Sequence, residues 1–181
     1  MYFDEDKYFE EILKPDEDDE EDINKVIDGV GKDAEIVVNA NGGKQSKSPM
    51  AMHLIDPRFL GHIAYLHCIK PEHRAIGFIT DLMNGYTEAQ LIKAIEELEP
   101  DKNKALVRIA TVLQEGAERY EPNNWRLIPQ EEHINHALIH LLASAMGDTQ
   151  DNHLDHALCR LMMAYATNKS ENFDYKEYIK K

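Results

Sequence analysis

Apolar residues recur along this chain at helical spacing for most of its length. The clearest case is 130–146, where Ile134, Ala137, Leu138, Leu141, Leu142 and Ala145 form a stripe at i, i+3, i+4, i+7, i+8 and i+11. A second helix follows over about 153–166, with Leu154, Leu158, Leu161 and Tyr165 on its apolar face. The turn Gly147-Asp148-Thr149-Gln150 between them is short enough to force an antiparallel pair. Upstream, Phe59, Leu60, Ile63, Leu66 and Ile69 predict a helix over 59–69, broken by Lys70-Pro71. Ile76, Ile79, Leu82 and Met83 predict another over about 72–83, stopped at Asn84-Gly85. Thr87 and Gln90 read as a capping box for a helix carrying Leu91, Ile92, Ile95 and Leu98, which ends at Pro100. Residues 103–120 predict a long helix with Leu106, Ile109, Ala110, Leu113, Ala117 and Tyr120 inward and Glu115 and Glu118 outward. Glu35–Asn39 reads as a short strand or an extended lead-in. The fold class expected is therefore all-α, a helical bundle centred on the 130–166 hairpin.

Histidine changes this picture from a plain bundle to one with chemistry. Five of the nine histidines lie in the hairpin. At about 100° per residue, His133, His136 and His140 share a strip beside the first apolar stripe. His153, His156 and Arg160 share one on the second helix. Counted outward from the turn, His140 comes level with His156 and His136 with Arg160, so the strips face each other. Imidazole is the commonest ligand for transition metals, and i, i+4 spacing lets one helix grip one ion. His136, His140, His153 and His156, with Asp148 in the turn, are the candidate metal ligands, and Asp151 lies close by. The same histidines with Arg160 also suit an anion such as phosphate, and any one of them can be a half-buried helix residue bonded to its neighbours.

Two further stretches suggest a nucleotide. In Gly42-Gly43-Lys44-Gln45-Ser46, a polar loop, paired glycines let backbone N–H groups approach a phosphate that Lys44 can neutralise. The Walker A spacing is absent. The sole tryptophan, Trp125, sits in a Pro/Asn turn between Asn124 and Arg126, a set that suits a purine base and its phosphates. A plain surface loop and a core plug are the alternatives for these two segments.

Charge is unevenly spread. The net charge is −14, and residues 1–35 hold 15 acidic and 4 basic side chains against 19 and 16 in the rest. This divides the chain into an acidic, flexible head (1–35) and a single helical domain (36–181). Within the head, residues 1–12 have apolar surface for a short docking helix, and 16–22 (DEDDEED) read as a solvated run. The tail from 168 is polar, with Phe173, Tyr175, Tyr178 and Ile179 available to fold back. So acidic a chain lacks the footprint of a duplex nucleic-acid binder. No apolar run approaches a membrane span, and the acidic start is neither a secretory signal nor a transit peptide. The two cysteines, Cys68 and Cys159, argue for a reducing compartment, the cytoplasm by default. A homo-oligomer is left open.

Four blocks, GGKQS (42–46), GAERYEPNNWR (116–126), EHINHALIHLLASAMGD (132–148) and HLDHALCRLMMA (153–164), together resemble a family of small, mostly phage-encoded proteins. It is named for the N-terminal domain of dATP/dGTP diphosphohydrolase. The resemblance implies a phage protein of nucleotide metabolism, acting in the host cytoplasm on purine deoxynucleoside triphosphates. Against these blocks, residues 65–105, with the helix at 88–99, look like an insertion. Neither the EExxE and ExxD helices of MazG-like pyrophosphohydrolases nor the ordered His-Asp pair of HD-type phosphohydrolases occurs. Three readings follow: a metal-dependent diphosphohydrolase, with Mn, Zn, Co, Fe or Ni favoured by the histidines and catalytic residues unassigned; a nucleotide-binding or accessory protein without turnover; and a helical interaction protein whose histidines are incidental.

Overall fold

A computed structural model describes Ile27, Gly29, Val30, residues 34–66 and residues 69–167. The expected docking helix at 1–12, the acidic run at 16–22 and the tail from 168 lie outside the described residues.

A two-stranded antiparallel hairpin comes first, β1 (Ile36–Val38) and β2 (Lys44–Ser46), paired Ile36 to Ser46, Val37 to Gln45 and Val38 to Lys44. Six α-helices follow among the described residues: α1 (Pro57–Leu66), α2 (Pro71–Met83), α3 (Ala89–Leu98), α4 (Lys102–Tyr120), α5 (Gln130–Ala145) and α6 (His153–Thr167). The all-α class expected from periodicity is what the chain adopts, with the small hairpin added. No described helix is long and apolar enough to cross a membrane.

Local chemistry sets the ends. Asp56 caps α1 by accepting from the Arg58 and Phe59 N–H groups (2.9 and 3.2 Å), and Asp101 caps α4 through Asn103 and Lys104 (3.0 and 3.3 Å). The capping box expected at Thr87 and Gln90 does not form. Glu88 takes the cap position without capping the helix through its side chain, and the Gln90 amide donates to Asp81 on α2 instead (2.7 Å). Tertiary pairing of α2 with α3 takes the side chain that a local cap would use.

Helices α5 and α6 form the centre, and their antiparallel register is fixed by cross-pairs. Gln130 donates to the Ala164 carbonyl (2.9 Å), His133 meets Arg160 (3.2 Å) and His140 meets His153 (3.0 Å). Gly147, at φ 89°, makes the turn between them in the left-handed region open to glycine. The pair packs on α2, α3 and α4. Leu138, Leu141, Leu158 and Leu161 are fully buried, and so are Ile76, Ile79 and Leu91 from α2 and α3.

Two expectations change. Helix α5 is buried all round, its histidine strip included, because the hairpin and the strap at 48–55 cover the face opposite the core. Asn135 ties that strap down by donating to the Met50 carbonyl (3.0 Å) and accepting from the His53 N–H (3.3 Å). Helix α4 is also rotated from the inward face the sequence implied. Ala105 and Ile109 are buried, whereas Leu106 and Val107 are 66% and 67% exposed and Ala110 is exposed. Arg108 turns the helix, since it faces inward to pair with Asp155 of α6 and with Glu99.

Candidate functional site

The C-terminal half of α4, strand β2, the turn at 122–125 and the histidine strips of α5 and α6 enclose a cleft of about 780 Å³. His136, His140, His156 and Arg160 line its floor, with Asp151 at one end and Trp125 in its wall.

At the Asp151 end, five imidazole and carboxylate groups converge. His140 Nδ1 and His153 Nδ1 are 3.0 Å apart, and His140 and His156 meet edge to face with centroids at 5.0 Å. His153 Nε2 lies 3.1 Å from Asp148 Oδ1, and His156 Nδ1 lies 3.0 Å from Asp151 Oδ2. One ligand atom each from His140, Asp151 and His153 falls within 4.8 Å of the others, close enough to hold one metal ion. Asp151 Oδ2 and His153 Nε2 are buried without a hydrogen bond. Asp151 Oδ2 is a polar atom that an ion would satisfy, while His153 Nε2 faces Asp148 and leaves Nδ1 toward His140. The donor set of two nitrogens and an oxygen therefore fits a divalent transition ion.

Electrostatics prepare the same end for a cation. Burial first, then the charges of His156, Arg160, His153 and His136, drive His140 well below the ordinary imidazole range. A neutral ring is what ligation requires. Burial works against the charge of Asp151, but the His156 imidazole and the Asn152 N–H outweigh it and hold the carboxyl below its usual range.

The five expected ligands are thus brought to one strip but in different roles. His140 and His153 join the cluster. Asp148 sits behind His153, where a carboxylate orients a ligating imidazole. His156 orients Asp151. His136 stands apart, its Nε2 bonded to Ser48 Oγ (2.8 Å), and burial with the nearby charge of Arg160 lowers it to about 2. Asp151 was absent from the expected ligand set. Its signal was its position two residues before His153, ahead of α6.

At the other end, Trp125, His133 and Arg160 form a chain. The Trp125 carbonyl accepts from His133 Nε2 (3.0 Å), and His133 Nδ1 accepts from Arg160 (3.2 Å). Burial, then Arg160, lowers His133 to about 3. The Arg126 guanidinium already covers one face of the Trp125 indole at 4.1 Å, so a purine stacking from that side has to displace it.

The segment expected to be a flexible glycine loop is instead a bonded hairpin. Gly42 N–H donates to the Asn39 carbonyl (3.0 Å), and Gly43 N–H donates to Asn39 Oδ1 (2.9 Å). Asn124 clamps Lys44, accepting from its N–H (2.8 Å) and donating to its carbonyl (2.5 Å). These contacts fasten the hairpin to the turn, and each Asn124 amide atom keeps capacity for one further bond. Gln45 is buried and donates to Glu132 (3.3 Å). Lys44 and Ser46 do reach the cleft. Lys44 Nζ lies 3.5 Å from Glu121, and Ser46 Oγ bonds the Tyr120 hydroxyl (3.0 Å).

Comparison with known proteins returns one family. Residues 87–176 match the model described as dATP/dGTP diphosphohydrolase, N-terminal. No curated protein and no solved structure matches the chain. The match takes in α3 together with α4, α5 and α6, so the helix at 88–99 is family structure and not an insertion, whereas the GGKQS strand lies ahead of the matched stretch. Over residues 87–176, about half of its length, the chain belongs to the dATP/dGTP diphosphohydrolase N-terminal family.

Proposed function

We propose that the cleft binds a purine deoxynucleoside triphosphate with a divalent cation and hydrolyses it to the monophosphate and diphosphate. One observation carries this reading: a group able to hold a cation and the Arg160 guanidinium share one cleft, inside the stretch that matches a diphosphohydrolase family. In the reaction a water oxygen bonds to the α-phosphorus, the bond from that phosphorus to the bridging oxygen breaks, and diphosphate leaves with the electron pair. The water's protons pass to bulk base.

His140, Asp151 and His153 would hold a divalent ion, which when bound would supply charge neutralisation and Lewis acidity toward the phosphates. The chain's own residues do the rest. Asp148 and His156 orient the ligating groups, Lys44 and Arg160 draw the phosphates, and the Trp125–Arg126 pair flanks the base. The histidine-rich set favours Mn, Zn, Co, Fe or Ni over Mg. The resemblance to phage-encoded proteins supports a role in the nucleotide pool of an infected cell's cytoplasm.

The matched family description names an N-terminal region, which supports a second reading: the same cleft binds nucleotide without turnover. Diphosphate release from dATP and dGTP, assayed with each metal in turn, separates the two. The hydrolase reading expects metal-dependent release that is lost in His140→Ala and Asp151→Asn. Saturable nucleotide binding without release would support the second reading, and no binding would defeat both.

A further inference from the structure

Among the described residues, Arg160 makes no ion pair with a carboxylate. Among the described residues Arg74, Arg108, Lys44 and Lys47 each face a carboxylate, at Glu97, Glu99 with Asp155, Glu121 and Glu35 respectively. Arg160 has no such partner among the described residues. Its one hydrogen bond runs to His133 Nδ1 (3.2 Å). That ring is neutral, because its Nε2 carries the proton donated to the Trp125 carbonyl and burial holds it to about 3. His133 therefore positions the guanidinium without balancing it. Glu132 lies near enough to act on Arg160 through its charge but makes no ion pair with it, and its Oε2 accepts from Gln45 (3.3 Å). A guanidinium has five donors, so most of this one's remain for something else in the cleft floor. A charge kept in a desolvated place without a counter-ion is costly, and an arriving anion removes that cost.

The spacing says what the anion belongs to. His133 stands level with Arg160, and His140 level with His153. On both helices these levels are seven residues apart, a rise of about 10 Å. One phosphate does not reach both levels. A chain of phosphates, or a nucleotide, does.

We propose that Arg160, positioned by His133, is a second and cation-independent anion subsite of the cleft, taking one phosphoryl group of a polyphosphate ester while the cation at His140, Asp151 and His153 takes another. The identity of the ester rests on the function proposed above, but the anion subsite does not, because it needs neither metal nor turnover.

The test is titration calorimetry of inorganic diphosphate into the full chain in the presence of chelator. Saturable binding is expected. Arg160→Gln should weaken it by about tenfold or more, the scale of a lost charged hydrogen bond. Arg160→Lys keeps the charge but not the planar fork, and should weaken it less. Lys102→Gln, an exposed cation outside the cleft, should leave it unchanged. Circular dichroism reports whether each variant folds, and if the Gln variant does not, the Lys variant decides. No diphosphate binding under chelator overturns the subsite, as does binding undiminished in a folded Arg160 variant. Absent dATP hydrolysis with chelator-resistant, Arg160-dependent binding would defeat the hydrolase reading alone, and the reverse result would defeat the subsite alone.

Discussion

At the scale of the residue, the buried histidines make stability depend on acid. His133 and His136 are lowered to about 3 and about 2, chiefly by burial, whereas in the unfolded chain both titrate near 6.5. Below about pH 6.5 the unfolded chain therefore takes up protons that the folded chain refuses. Stability is full above that pH and falls as pH drops toward the folded values. Each group costs about 1.4 kcal/mol per pH unit, so the pair costs about 3 kcal/mol per unit. Against a total of about 5–15 kcal/mol, acid unfolding is expected between about pH 3 and 5. Melting temperatures in chelator at pH 7 and pH 5 check this, and equal values would show that the imidazoles are not desolvated. A second residue, Glu121, holds φ 85° and ψ 147° at the cleft rim, a region suited to glycine and costing about 1–3 kcal/mol otherwise. Glu121→Gly is expected to be neutral or to raise the melting temperature, whereas Glu118→Gly, within α4, should lower stability by about 1 kcal/mol.

At the scale of the element, the sequence revealed what depends on neighbours three or four residues away and little that depends on distant ones. The stripes of α5 and α6 and the facing histidines were legible because each is a fixed rotation about one axis. The rotation of α4 was not, because Leu106 and Ile109 lie almost equally well on a helical stripe, and Arg108 chose between them by finding Asp155 on another helix. Strand β2 was read as a loop for the same reason. Its backbone is held by Asn124, 80 residues away (2.8 and 2.5 Å), and Gly43 packs where an added Cβ would lie 3.0 Å from the Leu127 carbonyl carbon and Ile128 Cγ1. Two substitutions measure that clamp. Asn124→Ala leaves the Lys44 N–H and carbonyl without partners and should cost about 1–3 kcal/mol. Gly43→Ala should cost a similar amount, about 1–3 kcal/mol, through overpacking. Urea unfolding of both variants is the measurement. A loss below about 0.5 kcal/mol in both would mean that the hairpin is not fastened to the turn at 124–127.

At the scale of the whole molecule, charge and packing divide the chain at different places. The charge boundary falls near residue 35, where the excess of acidic side chains ends. Packing reaches further back. Ile27 is buried against Ile139 and Ala143 of α5, with Val30 beside it, and Ala34 is buried as well. The helical body thus borrows part of the acidic head to cover the outer side of α5. That side belongs to the helix whose histidines build the cleft, so two truncations should behave differently. Removing residues 1–26 takes away most of the negative charge and none of these contacts, and the melting temperature should stay within about 2 °C, the effect of well under 1 kcal/mol in a chain of this size. Removing residues 1–35 uncovers Ile139 and Ala143. Loss of one buried isoleucine costs about 1.5–3 kcal/mol, or roughly 5 °C at about 2–4 °C per kcal/mol. Ile27→Ala in the full-length chain should reproduce most of that drop, which separates lost packing from lost charge. Equal melting temperatures for the two truncations would show that Ile27 adds nothing to the body. A collapse on removing 1–26 would show that Tyr2, Phe3, Tyr8 and Phe9 dock into it.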